Sequence, residues 1–258
     1  MSELINLKNV SLTRSGRKVL SHINWITTKG ENWFIMGPNG SGKTTLVEVL
    51  MGYLWPQQGE VRVLGEVFGR TNLQDLRAKV GYVSPWIFRR MPPETPAEDV
   101  VASGFDSSVG LFGRQSPAIR RAVLRQLRFF GCLSLKRREF GMLSSGQQFK
   151  IILARALVHE PALLILDEPF SLLDIGARMV MYRLLARLAK GRRAPQLLLV
   201  THHLEDLLPV FQRGLILKNG RIHQQGCRED VLSPLSLSSA FGIPVGHFRG
   251  VTCSPRSK

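Results

Sequence analysis

Alternating and continuous apolar segments predict the strands of this chain. Residues 3–13 alternate apolar and polar side chains and are predicted to be a strand. A second strand is predicted at Lys18–Thr27. Asn32–Met36 and Ala162–Leu166 are short apolar runs, which are typical of strands buried on both faces of a parallel sheet. Further strands are predicted at Gly59–Gly65, Val80–Val83 and Gln196–Val200, and a hairpin at Leu215–Ile222, which contains Asn219-Gly220.

Apolar residues at helical spacing lie between these strands. They predict helices at Leu46–Met51, Glu98–Val101, Pro117–Phe130, Gln147–Val158 and about Gly176–Lys190. Strands that alternate with helices in this way predict an α/β fold with a parallel sheet. From Ser84 to about Leu143 the pattern becomes helical, which predicts a helical subdomain inserted into the α/β core. Its first part contains four prolines and is predicted to be a loop (Pro85, Pro92, Pro93 and Pro96).

A glycine-rich stretch joins the predicted strand Asn32–Met36 to the helix that follows. It reads Gly37-Pro38-Asn39-Gly40-Ser41-Gly42-Lys43-Thr44-Thr45 and fits the phosphate-loop pattern G-x-x-x-x-G-K-[ST]. Backbone N–H groups at the start of a helix bind phosphate, the Lys43 ammonium adds a full charge, and the Thr44 hydroxyl can ligate Mg²⁺. A chance match occurs in roughly 1% of chains of this length, and fewer have the flanking strand and helix. The stretch therefore predicts a nucleoside triphosphate site.

Two acidic residues follow the buried run Ala162–Leu166. Ligands of parallel α/β sheets bind at the carboxyl ends of the strands, so Asp167 is predicted to share a crevice with the phosphate loop. Asp167 would then hold Mg²⁺, and Glu168 would polarise the water that attacks the γ-phosphate. The alternative is that these carboxylates only cap the next helix.

The chain has a formal net charge of +16, from 35 basic and 19 acidic residues. Such a surface attracts phosphates, nucleic acid or an anionic membrane, but it can also be only a basic solvated surface. On the predicted helix Pro117–Phe130, Arg121, Arg125 and Arg128 share one face, and solvation and interaction remain alternatives for it. No apolar run approaches 18 residues, and the start of the chain predicts no secretory signal. Three widely spaced cysteines argue against a disulfide framework or a zinc site.

The order of these motifs resembles that of an ATP-binding cassette (ABC) ATPase over nearly the whole chain. Leu143-Ser144-Ser145-Gly146-Gln147 is similar to the family's signature L-S-G-G-Q, Ser171–Asp174 is similar to its D-loop, and His202 is similar to its switch histidine. The resemblance implies a P-loop NTPase fold, with a RecA-like core, an N-terminal antiparallel β subdomain and an inserted helical subdomain. It also implies ATP and Mg²⁺ as ligands. The signature and Asp174 of one subunit would complete the ATP site of a second, so hydrolysis would require a dimer.

The resemblance also implies a domain plan and a partner. One ABC domain would span 1–251, with the core at 1–83 and 144–251, the helical insert at 84–143 and a disordered tail at 252–258. The chain would be the ATPase subunit of a transporter, bound to an integral membrane permease at the cytoplasmic face of the membrane. Segments such as 99–105 and 241–245 resemble metal-chelate or oxyanion importers, which use a solute-binding protein. The alternatives are a soluble ABC protein that acts on nucleic acid or ribosomes, and an ATP-binding regulator.

Three positions depart from the family pattern. Pro85 replaces a glutamine that touches Mg²⁺ and the attacking water in the family, so Ser84 or a water molecule must substitute. The aromatic residue that stacks on adenine is absent near residue 14; Arg14 either stacks there through its guanidinium plane or is an ordinary surface arginine. Ser145 replaces a glycine in the signature, and its small side chain is expected to be tolerated.

Overall fold

Ten strands and nine α-helices lie within residues 3–105, 116–191 and 194–248, the part of the chain that this computed structural model describes. The strands are β1 (Glu3–Arg14), β2 (Arg17–Thr28), β3 (Trp33–Met36), β4 (Gln58–Val63), β5 (Glu66–Val67), β6 (Val80–Val83), β7 (Leu163–Asp167), β8 (Gln196–Val200), β9 (Arg213–Lys218) and β10 (Arg221–Cys227). The helices are α1 (Lys43–Leu50), α2 (Leu73–Ala78), α3 (Pro85–Arg90), α4 (Ala97–Ala102), α5 (Pro117–Phe129), α6 (Ser145–Leu157), α7 (Ile175–Ala189), α8 (Arg228–Val231) and α9 (Pro234–Phe241). The predicted tail 252–258 lies outside the described residues.

The chain divides into two compact units, with boundaries after Leu73 and after Gln196. The first unit is built from the two ends of the chain and the second from its middle. The narrower helical insert at 84–143 stays a prediction.

An antiparallel sheet forms the start of the first unit, with the strand order β2-β1-β4-β5. The long strands β1 and β2 pair with Leu7 opposite Trp25 and Val10 opposite Ile23, and all four side chains are buried. Burial of this face against the rest of the unit fixes the register, because a slip of one residue would expose all of them. The antiparallel subdomain expected from the family resemblance is therefore present.

The second sheet of the first unit has β3 as its central strand. β3 runs parallel to β8 on one side and to β9 on the other, and β10 continues the sheet beyond β9. All four residues of β3 are buried, as the apolar run predicts. β9 and β10 form the predicted hairpin, and Asn219 and Gly220 at its turn have φ values of 50° and 72°, as a type I′ turn requires.

In the second unit, helices pack around the parallel strand pair β6 and β7. Every residue of β7 is buried, and Gly81 in β6 lets the backbone of α6 approach, since a Cβ there would lie 2.5 Å from the Ala156 carbonyl oxygen. The ring of Phe149 in α6 is stacked with Phe88 at 6.0 Å and with Phe170 at 6.1 Å between centroids. These contacts fix α6, whose first turn carries the signature residues.

One part of the proline-rich stretch was predicted wrongly. Pro85 was expected to lie in a loop, but it is the first residue of helix α3. Proline suits this position, because its fixed φ is helical and the N–H it lacks would have no partner in the first turn. The short helices α2, α8 and α9 were also not predicted from the sequence.

Helix α5 has the predicted two faces. Val123 and Leu127 are buried, whereas Arg121, Arg125 and Arg128 are exposed. Arg125 forms an ion pair with Glu160 at 2.6 Å between its Nη2 and the carboxylate. No helix in the described residues is both long and apolar enough to cross a membrane.

His159, just after α6, generates a prediction about pH. Both of its ring nitrogens are buried and neither has a hydrogen-bond partner among the described residues. Burial, and secondarily the nearby Arg155 charge, lower the pKa of His159 from 6.5 to about 4. The folded state therefore binds fewer protons than the unfolded state between these two values.

The stability that neutral His159 contributes is fully present above pH 6.5 and declines as the pH falls towards 4. The unfolding free energy of the wild type should fall between neutral pH and pH 4 because His159 becomes protonated on unfolding. In His159→Phe this fall should be smaller by about 1–2 kcal/mol, a figure that allows for the partial exposure of the residue. Urea titrations at both pH values measure it. His223→Gln, which alters an exposed histidine of β10, is the control. An identical pH dependence in wild type and His159→Phe would contradict this account.

Candidate nucleotide-binding site

Backbone atoms of neighbouring strands enclose the phosphate loop between β3 and α1. A Cβ on Gly37 would lie 2.1 Å from the Leu217 carbonyl oxygen of β9, and a Cβ on Gly42 would lie 3.0 Å from that of Val19 in β2. Both glycines also have positive φ values, of 150° and 104°. Only glycine satisfies both conditions, so the shape of the loop depends on these two residues.

Lys43 lies across the loop. It is buried, and its Nζ donates to the carbonyl oxygens of Gly37 at 2.9 Å and Pro38 at 3.0 Å. The Ser41 hydroxyl is also buried and has no hydrogen-bond partner among the described residues. A buried ammonium and an unsatisfied hydroxyl, inside a turn that begins a helix, fit a phosphate group. Thr44, in the first turn of α1, is exposed, as a metal-ligating hydroxyl must be.

Residue His202 follows the strand beside β3. Ile35 of β3 pairs with Val200 of β8, and the Thr201 N–H donates to the Ile35 carbonyl oxygen at 3.1 Å. The Thr201 hydroxyl donates to Asp206 at 2.8 Å and fixes the turn that contains His202. The phosphate loop and the His202 turn therefore begin at the carboxyl ends of adjacent parallel strands. The contact of His202 with the γ-phosphate stays a prediction.

In the second unit, Asp167 is the last residue of β7. It is 4% exposed, and the Tyr82 hydroxyl of β6 donates to its Oδ2 at 3.4 Å. The next residue, Glu168, is half-buried and has a φ of 46°, which is uncommon for a non-glycine residue. Its carbonyl oxygen accepts from the Ser171 N–H at 3.3 Å and from the Ser171 hydroxyl at 3.0 Å. This tight turn ends the strand with two carboxylates in succession.

These two carboxylates do not cap the next helix. The N-cap of α7 is Asp174, whose Oδ1 accepts from the Ala177 N–H at 2.7 Å. The capping alternative for Asp167 and Glu168 is therefore excluded. The nucleotide role of Asp174 stays a prediction, and in the structure its carboxylate holds the start of α7.

The signature residues form the first turn of α6. Ser144 is its N-cap, and Ser144 and Gln147 bond each other's backbone N–H groups in a capping box. A Cβ on Gly146 would lie 3.2 Å from the Cβ of Ala177, so glycine lets the first turns of α6 and α7 approach closely. Ser145 is half-buried. The side chains thus shape a helix N-terminus, which favours an anion, and their contact with a nucleotide stays a prediction.

The structure shows the contacts around two of the positions that depart from the family pattern. Ser84, the N-cap of α3, follows β6, whose Val83 pairs with Leu166; its hydroxyl is buried and has no partner among the described residues. A buried hydroxyl is therefore present one residue before Pro85, the position at which the family has glutamine. The Arg14 side chain is 64% exposed, with its Nη1 3.9 Å from the Glu48 carboxylate in α1. This is a weak surface ion pair.

Tyr82 was not singled out from the sequence. Its contact with Asp167 depends on the register of β6 and β7, in which Tyr82 pairs with Ile165. The sequence feature that could have indicated this contact is a polar aromatic residue near the end of a short strand.

Comparison with known proteins identifies the family. The family model described as ABC transporter matches residues 20–171. The chain belongs to the ABC transporter family. An uncharacterised ABC transporter ATP-binding protein of Bacillus subtilis, YlmA, is 38% identical over 243 residues, which cover 94% of this chain and 92% of that protein. The zinc uptake system ATP-binding protein ZurA of Listeria innocua is 36% identical over 206 residues, with coverage of 79% and 78%.

Among solved structures, a dimeric bacterial ABC transporter cassette is 26% identical, with a TM-score of 0.73 and coverage of 87% of this chain and 98% of that one. The fold is therefore the α/β fold of ABC ATPases, and the protein is the ATP-binding subunit of an ABC transporter.

The conformation of Glu168 in this ABC protein generates a second prediction. Because glycine adopts a positive φ without the Cβ clash, Glu168→Gly should unfold with a free energy about 0.5–1 kcal/mol higher than Glu168→Gln. Both variants lack the carboxylate, so the comparison isolates the backbone, and urea unfolding measures it. Glu160, with a φ of 53°, gives a matched pair in which the same order is expected. A Glu168→Gly protein less stable than Glu168→Gln would show that the φ at this residue is not strained.

Proposed function

We propose that this protein hydrolyses Mg²⁺-bound ATP and that the hydrolysis drives solute transport through a separate permease. The observation that carries the proposal is the closed phosphate loop, in which glycines 37 and 42 make room for backbone atoms and Lys43 is held across the turn. Family membership supports ATP as the nucleotide. The exposed Thr44 hydroxyl and the Asp167 carboxylate are oxygen donors, which suit Mg²⁺.

Each predicted residue has one role in this mechanism. The loop N–H groups and Lys43 bind the β- and γ-phosphates and oppose the charge that develops on them. Thr44 and Asp167 would be the oxygen ligands of Mg²⁺, which would supply further charge neutralisation. Glu168 accepts a proton from the attacking water, and His202 donates a hydrogen bond to the γ-phosphate. Tyr82 orients the Asp167 carboxylate through its hydrogen bond.

We further propose that two copies, or this chain and a paired ABC subunit, close head to tail around ATP. The signature turn, Ser144–Gln147, would then bind the nucleotide held by the second copy. A dimeric relative supports this arrangement. Three apolar residues near Asp174 are also exposed: Leu172 is 42%, Ile175 is 84% and Met179 is 48% exposed. Exposed apolar side chains next to a predicted subunit contact favour burial against a partner.

We expect Glu168→Gln to lower kcat at least about 100-fold and, with ATP and Mg²⁺, to form a stable dimer. Adding Ile175→Asp should weaken that dimer at least tenfold, because it buries a charge. Leu235→Asp, at a residue of α9 that is 73% exposed, is the matched control and should leave the dimer intact. Analytical ultracentrifugation with and without ATP measures both. A Glu168→Gln protein that stays monomeric with ATP at high concentration would refute the composite site.

The permease would dock on the surface around residues 84–100. In α3, Ile87 is buried and anchors the helix, whereas Trp86 is 52% exposed with the Arg90 guanidinium 4.8 Å from its ring centroid. A large exposed indole beside a cation is typical of an interface anchor. We propose a peripheral location at the cytoplasmic face of the membrane. The zinc uptake relative favours a metal ion or metal chelate as the solute, delivered by a solute-binding protein.

Salt washing of membranes tests this docking. Tagged Glu168→Gln protein should remain on sedimented membranes above about 0.5 M salt, where little charge-only attraction survives, and a hydrophobic protein should co-purify after detergent extraction. Trp86→Ala should release it. Trp55→Ala, which removes a similarly exposed indole of the first unit, should not. Release of all variants at modest salt together with RNA would instead favour a role on nucleic acid, which the charge of +16 would suit.

A further inference from the structure

A cavity of about 480 Å³ lies within the first unit, away from its phosphate loop. Its walls come from β1 and β2 of the antiparallel sheet, from the start of β3, and from β9 and β10. This volume falls in the range of small-molecule sites. None of the residues given a role in ATP binding lines it.

Two tryptophans form the apolar wall. Trp25 and Trp33 are 1% and 5% exposed, and their rings meet edge to face with centroids 5.6 Å apart. Both Nε1–H groups are buried and have no hydrogen-bond partner among the described residues. The two indoles therefore give the cavity an aromatic, largely buried wall.

The polar wall carries more positive than negative charge. Its lining includes Lys8, Arg213 and one carboxylate, that of Glu31. The Glu31 carboxylate is already engaged, since its two oxygens accept from Arg213 Nε at 3.0 Å and from the Thr28 hydroxyl at 2.6 Å. The charged side chains that line the cavity therefore sum to +1. Arg213 Nη1 also donates to the Cys227 sulfur at 3.4 Å.

We propose that this cavity binds a small carboxylic acid with an apolar, flat body. The carboxylate pairs with the Lys8 ammonium and the Arg213 guanidinium, and the body lies against the indoles together with Leu7 and Ile26. A cation would meet Lys8 and Arg213 with only one carboxylate, already bonded, to oppose them. The site does not depend on the proposed ATPase activity.

Tryptophan fluorescence of the intact protein can report binding in the cavity. The chain has four tryptophans, so a Trp55→Phe, Trp86→Phe protein retains only Trp25 and Trp33. Three probes share one phenyl body and differ in charge: 3-phenylpropionate, phenylalanine and 2-phenylethylamine. We expect 3-phenylpropionate to change the tryptophan emission saturably, with half-saturation in about the millimolar range or below. The amine should bind at least tenfold more weakly.

Two variants locate the site. Lys8→Gln should weaken 3-phenylpropionate binding at least fivefold, whereas Lys18→Gln, an exposed lysine at the other end of the sheet, should not. A thermal shift with the same probes gives a second measurement. The proposal is overturned if no probe binds saturably, if the amine binds as well as the acid, or if Lys8→Gln binds like the wild type. These experiments do not measure ATP hydrolysis. A failure of the proposed ATPase function would therefore not affect their outcome.

Discussion

The enclosure of residues 37–42 by backbone atoms is the constraint on which the rest of this structure depends. A phosphate loop requires amide groups turned into one concavity. Here the Leu217 carbonyl group leaves no space for a side chain at Gly37, and the Val19 carbonyl group lies close to Gly42. Those carbonyls belong to strands of two different sheets of the first unit. The loop therefore takes its shape only when the strands of both sheets pair correctly. Phosphate binding at this turn thus depends on correct folding of both sheets.

Strand ends supply the remaining chemical groups in both units. In the first unit, β3 and β8 end side by side and deliver Lys43 and His202 into neighbouring turns. In the second, β6 and β7 end together and place Ser84 and Tyr82 beside Asp167. Parallel pairing aligns carboxyl ends without regard to the side chains involved.

Local sequence patterns predicted most strands and the longer helices. Side-chain contacts that depend on how two strands pair could not be predicted from them. The phosphate loop, β7 and the Asn219-Gly220 turn follow from residue types at short spacing. Helix α3 was missed because Pro85, together with three later prolines, predicted a loop, whereas it is the first residue of a helix. The Trp25–Trp33 cavity depends on residues distant in sequence, so no local pattern contains it. The positive φ of Glu168 could not be predicted either, because glutamate does not favour that conformation.

The β9–β10 turn has a consequence for protein engineering. Exposed hairpin turns usually accept inserted tags or reporter domains, because nothing packs on them. Here the Gly220 N–H donates to the Ser41 carbonyl oxygen at 3.0 Å, and the Gly220 carbonyl oxygen accepts from the Ser21 N–H at 2.8 Å. The turn thus connects the phosphate loop to β2 through these two hydrogen bonds. An epitope inserted at Asn219 would disturb the nucleotide site, although the residue itself faces solvent.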